Sequence, residues 1–180
     1  MKDYTYPKRD SWEHLLKRPT ESLSDIRKIV QPIMDAVQSN GDDALKAYTK
    51  KFDGIELDNF LVNDHEIKSA SSAVSDKLKE AIKVAHDNIF QFHEAQVTVP
   101  LKIETMPGVL CERKSVAIPK VGLYIPGGTA PLFSTVLMLA IPAKIAGCKE
   151  IVLCTPPNKE GEIHPAILYA AEVAGITKIF

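Results

Sequence analysis

Apolar positions recur at helical spacing through the first half of the chain. Ile26, Ile29, Val30, Ile33 and Val37 lie three or four apart and predict a helix that Asn40-Gly41 stops. Ser24 is its expected N-cap, and Pro32 an expected kink. A short helix through Leu15 and Leu16 is expected before it, with Asp10 and Glu13 as a capping box and Pro19 as its end. Asp42 to Lys51 predicts another helix, closed by the Asp53-Gly54 turn, and Phe60 to Val62 a short strand. The most regular stripe is Leu78, Ala81, Ile82, Ala85, Ile89 and Phe92, which places a helix over residues 75–95.

After Pro100 the period shortens. Residues 101–105 and 109–113 are extended, with Met106-Pro107-Gly108 between them, and predict a hairpin. From Lys120 strands and helices alternate. Residues 121–125 predict a strand, 126–129 a glycine-containing loop, 131–146 an apolar helix closed by Gly147, and 151–155 a second strand. Pro165 suits the first turn of a helix running to Ala174, and residues 178–180 begin a third strand. The fold class is therefore α/β: a helical N-terminal region with a hairpin, then a Rossmann-like βαβαβ half with a parallel sheet. The expected division is residues 1–120 as part of a first domain and 121–180 as the first half of a nucleotide-binding domain. A three-stranded parallel sheet normally has both faces covered, so the pattern reads as incomplete, a piece of a larger fold.

Composition narrows the partners. The 180 residues carry 22 Lys and Arg against 23 Asp and Glu, a balance that offers no field for nucleic acid or an anionic membrane. The apolar stretch 131–143 is too short to span a bilayer. Three cysteines and a polar start, MKDYTYPKRD, suit a reducing cytoplasm rather than a disulfide framework.

The chemistry concentrates in Gly122-Leu-Tyr-Ile-Pro-Gly-Gly-Thr129. A strand-to-helix turn is where open α/β sheets bind ligands. Gly127 and Gly128 would admit a ligand close to the backbone, and Thr129 would cap the following helix, whose amides favour an anion. The spacing is neither GxGxxG nor GxxxxGK[ST], so a tight structural turn is an equal reading. Tyr124 could lie against a ribose or a base, although a half-buried tyrosine with a bonded hydroxyl explains it as well. His86 and His93 lie seven apart on one helix, unlike the three- or four-residue spacing of helical metal ligands, and read as ordinary helix histidines. No His, Cys, Asp and Glu pattern has zinc spacing. Cys148 and Cys154 read as buried, inert thiols.

Residues 121–148, VGLYIPGGTAPLFSTVLMLAIPAKIAGC, closely resemble the signature stretch of the histidinol dehydrogenases. Leu153-Cys-Thr-Pro-Pro157 continues the likeness. Gly41-Asp-Asp-Ala-Leu45, Lys51-Phe-Asp-Gly54, Asn88-Ile89, Phe92-His93 and Gln96 extend it upstream, so that it runs from about residue 20 to the end. The resemblance implies a cytoplasmic homodimer of aldehyde-dehydrogenase-like, histidinol dehydrogenase-type fold. Such an enzyme oxidises L-histidinol through the aldehyde to L-histidine, the last step of histidine biosynthesis, with two NAD and a substrate-holding zinc. The family's NAD-contacting tyrosine falls on Tyr124, which tips the reading of that residue toward a ligand. Tyr124, Gly127, Gly128 and Thr129 are accordingly the expected cofactor-binding residues. No catalytic or metal residue can be carried over, because the zinc ligands (a Gln, an Asp and two His) and a proton-handling Glu-His pair belong to segments expected beyond Phe180. The 180 residues are thus expected to be catalytically incomplete. Two rivals share the features retained: a related dehydrogenase of another polar alcohol, and a non-catalytic nucleotide-binding or interaction module.

Overall fold

Three glycines in the left-handed region, Gly41, Gly147 and Gly175, mark where helices stop. The computed structural model describes residues 3–17, 23–128 and 130–180. It forms two compact units, residues 1–47 and 48–180.

The first unit is helical. A 3-10 turn, Arg9–Ser11, runs into α1 (Trp12–Leu16). The expected capping box is not formed: Asp10 lies within the 3-10 turn, and the residue before α1, Ser11, makes no side-chain cap. Its hydroxyl donates to the Lys8 carbonyl at 2.6 Å instead. Pro19 lies outside the described residues. Helix α2 (Leu23–Asn40) already includes Ser24, so this serine is not its N-cap. Pro32 sits inside the helix, and none of its described residues is buried. Helix α3 (Asp42–Phe52) crosses the unit boundary and ends at Gly54, whose φ is 75°.

In the second unit, residues 60–62 do not form a strand. They make one sheet-like bond, the Val62 N–H donating to the Ile179 carbonyl at 2.9 Å. A helix absent from the sequence reading, α4 (Asp64–Ala73), follows. Asn63 opens it with a complete capping box: its side chain accepts from the Glu66 N–H, and the Glu66 carboxylate accepts from the Asn63 N–H. Helix α5 (Asp76–Glu94) is capped by Ser75 and buries Ile82 completely. Phe92, expected in the same apolar stripe, is exposed.

The hairpin forms as expected. β1 (Leu101–Met106) pairs antiparallel with β2 (Val109–Arg113), and every residue of both strands is exposed. The alternating region then gives β3 (Lys120–Tyr124), α6 (Phe133–Ile145), β4 (Glu150–Cys154), α7 (Pro165–Val173) and β5 (Lys178–Ile179). The three strands are parallel and adjacent in chain order, β3-β4-β5.

Burial alternates along the sheet. Leu123, Ile125, Ile151, Leu153, Thr155 and Ile179 are buried, whereas Gly122, Tyr124, Cys154 and Phe180 on the opposite face are exposed. Helices α6 and α7 pack on each other, with α5 against α6 and α4 against α7. The core joins all of these elements. Helix α7 is buried over six consecutive residues, Ala166 to Ala171, because it is packed on more than one side. That also explains its apolar sequence on every face. Helix α6 buries Val136, Leu137, Ala140 and Ile141 while exposing Met138 and Leu139, so it is less enclosed than its sequence predicts.

Candidate functional site

The carboxyl ends of β3 and β4 meet in register, Tyr124 opposite Cys154. The Ile125 N–H continues the pairing by donating to the Cys154 carbonyl at 2.9 Å. Beyond this point the chain leaves the sheet in two loops, which begin with residues 125–128 and 155–157 and lead to α6 and α7. An open parallel sheet binds ligands at such an edge, where side chains and backbone amides are no longer used by the ladder.

Tyr124 is 64% exposed, and its hydroxyl has no hydrogen bond among the described residues. Packing does not require the ring, so the half-buried, bonded alternative does not hold. The two glycines differ. A Cβ on Gly127 would lie 2.7 Å from Cγ of Pro156, so this position must be glycine for the loops to touch. A Cβ on Gly128 would meet nothing within 4 Å, which leaves its backbone open to a ligand. Neither glycine N–H is bonded among the described residues. Thr129, the expected cap, lies outside the described residues; the N-cap position of α6 is Leu132. Leu132 makes no side-chain cap, and the first turn of α6 carries no acid. Tyr124, Cys154 and the residues nearest the strand ends, 125–128 and 155–157, are uncharged, while Lys159, Glu160 and Glu162 follow farther along the second loop. Anion binding here would rest on amides and hydroxyls.

One residue escaped the sequence reading. Thr155 follows β4, is 6% exposed, and its Oγ has no hydrogen-bond partner among the described residues. Its own N–H donates to the Phe180 carbonyl at 2.9 Å. Polarity within an otherwise apolar strand, Ile151-Val-Leu-Cys154, is the only sequence signal that marks it.

Other candidates resolve into local roles. His86 Nδ1 lies 3.0 Å from the Asp87 carboxylate, and His93 Nδ1 is 3.0 Å from the Gln96 amide oxygen. His164 caps α7, its Nδ1 accepting from the Ala166 N–H at 3.1 Å. No group of three or more His, Cys, Asp or Glu among the described residues could hold a metal ion, so these residues do not fit a zinc centre. The two cysteines expected to be buried depart from that: Cys154 is exposed and Cys148 only partly buried; Cys111 is exposed as well. Cys154 ends up exposed because it points to the face of the sheet that α6 and α7 leave uncovered. No helix among the described residues is long and apolar enough to cross a membrane.

At the opposite end of the strands, Glu150 accepts from Lys178 at 2.7 Å and pairs with Lys120 at 3.1 Å. The Lys178 hydrogen bond first, then that of Lys120, holds its carboxyl below the usual carboxylate range.

A parallel sheet with crossover helices and a glycine loop at its carboxyl edge defines an α/β scaffold. A family model described as histidinol dehydrogenase matches residues 16–180. The histidinol dehydrogenase of Bacteroides thetaiotaomicron is 54% identical over 180 residues, which are 100% of this chain and 42% of that protein. The Salmonella typhimurium enzyme of the same name is 50% identical over 167 residues, 92% of this chain and 38% of that protein. A crystal structure of histidinol dehydrogenase from Elizabethkingia anophelis superposes with a TM-score of 0.88 at 47% identity, covering 98% of this chain and 41% of that one. The chain belongs to the histidinol dehydrogenase family, and it spans about 42% of the length of the Bacteroides relative.

Proposed function

We propose that these residues form part of an NAD- and zinc-dependent histidinol dehydrogenase, which oxidises L-histidinol through the aldehyde to L-histidine in a cytoplasmic homodimer. The observation that carries this reading is the family match over residues 16–180, joined to a tyrosine presented without a structural partner at the carboxyl edge of the sheet. NAD at this edge would supply the hydride acceptor. Tyr124 would offer its ring and hydroxyl, Gly127 and Gly128 their amides, and Thr129 its hydroxyl. Hydroxyls and amides suit the sugar and phosphate oxygens of a dinucleotide.

In this reading residues 1–120 belong to a first domain and 121–180 open the nucleotide-binding domain, the two stretches joined by the packing of α4 on α7 and of α5 on α6. No group of three or more His, Cys, Asp or Glu among the described residues could hold a metal ion, and the resemblance implies zinc binding and proton transfer in segments outside this sequence. A single test separates the parts of the proposal. Histidinol-dependent reduction of NAD is measured with zinc present, on the 180-residue chain and on the full-length gene product, each checked for folding by circular dichroism. The expected result is a folded, silent 180-residue chain and an active full-length protein. Turnover by the 180 residues would show that the essential groups lie within them. A silent full-length protein that accepts another polar alcohol would move the substrate assignment.

A further inference from the structure

Buried hydroxyls nearly always have a hydrogen-bond partner, and an unpaired one calls for a cause. Thr155 Oγ is the one buried side-chain polar atom without a partner among the described residues. Its position is specific. It stands one residue past β4, beside the crevice where Pro156 closes against Gly127, and two strand residues beyond the completely buried Leu153 on the same face. Pro156, the next residue, meets the 125–128 loop at Gly127, and the two glycine amides of that loop are also unbonded. Three donors thus lie on adjacent loops at the edge where the sheet ends, and no carboxylate stands within residues 125–128 or 155–157; Glu160 and Glu162 come farther along the second loop.

We propose that Thr155 is a further nucleotide-binding residue, whose hydroxyl donates to a sugar or phosphate oxygen of NAD when the Gly127 and Pro156 loops part to admit it. This inference rests on the proposal that NAD binds at this edge. The Thr155 backbone would stay in place, since its N–H is tied to Phe180.

The test compares Thr155→Val with Thr155→Ser in the full-length protein, measuring NAD affinity by calorimetry and melting temperature without NAD. Valine keeps the shape and removes the hydroxyl; serine keeps the hydroxyl. The expected result for valine is about a tenfold weaker Kd for NAD. Its melting temperature without NAD should be unchanged or higher, because an unpaired buried hydroxyl is replaced by a methyl. Serine should bind NAD nearly as the parent does. A valine variant that melts lower or fails to fold would show that the hydroxyl has a structural partner, and would overturn the proposal. Parent-like affinity in the valine variant would overturn it too, while leaving NAD at this edge. A parent protein that binds no NAD would overturn both readings.

Discussion

At Gly127 the requirement for glycine comes from a neighbour rather than from backbone freedom. A methyl group there would sit 2.7 Å from a ring carbon of Pro156, and a proline ring cannot swing aside as a lysine end can. Gly127→Ala should therefore cost about 1–3 kcal/mol, the usual range for forcing an extra carbon into a packed site. The check is urea unfolding of the variant against the parent, with NAD affinity measured in parallel. An unchanged midpoint would mean that the loops separate freely. Gly128→Ala is the control, since open space surrounds that position. Tyr124 makes the complementary point. Nothing in its surroundings fixes its hydroxyl, so its chemistry is available to a ligand.

Among the elements, α4 shows how a short helix can be specified by its first turn. The sequence Asn63-Asp-His-Glu66 supplies both halves of the capping box, and Ile67 and Ala70 then face α7 and the core. Asn63→Ala removes the side-chain acceptor for the Glu66 N–H and should cost about 1 kcal/mol. Thermal unfolding measures it, and Asn63→Asp, which keeps an acceptor and adds a favourable charge at the helix start, should stay close to the parent. An alanine variant as stable as the parent would mean that packing on α7 alone holds α4. The hairpin is the opposite case. Its register is set by a short turn with Gly108 at φ 81°, but its residues are all exposed, so its sequence specifies a shape without a burial partner among the described residues.

Across the parallel sheet, Glu150 couples three strands. It sits on β4 and binds Lys120 of β3 and Lys178 of β5. Because its folded pKa is depressed, the stabilisation is present above the carboxyl's unfolded value, about 4.3, and is lost as pH falls through the lower folded value. Glu150→Gln should therefore melt below the parent at pH 7, and the gap should close as the pH is lowered toward 3. The effect should be small and salt-sensitive, because all three side chains reach solvent. A gap that persists at low pH would assign the loss to packing instead of charge.

Periodicity by itself determined most of the elements. The stripe around Ile82, the hairpin turn, and the glycine and proline punctuation of β3-α6-β4-α7-β5 are local patterns, and local patterns are written in consecutive residues. The stretch 121–148 likewise marked the family, while its motif from Gly122 to Thr129 left a ligand loop and a structural turn equally open. Other features were decided only by tertiary structure, because they depend on residues far apart in the chain. Residues 60–62 keep one bond to Ile179 but no strand, since more than a hundred residues separate them from the edge they touch. Cys154 is exposed and Thr155 buried because adjacent strand residues face opposite sides and α6 and α7 cover only one. Pro156 against Gly127, and the unpaired hydroxyl of Thr155 beside it, exist only where two loops from neighbouring strands converge.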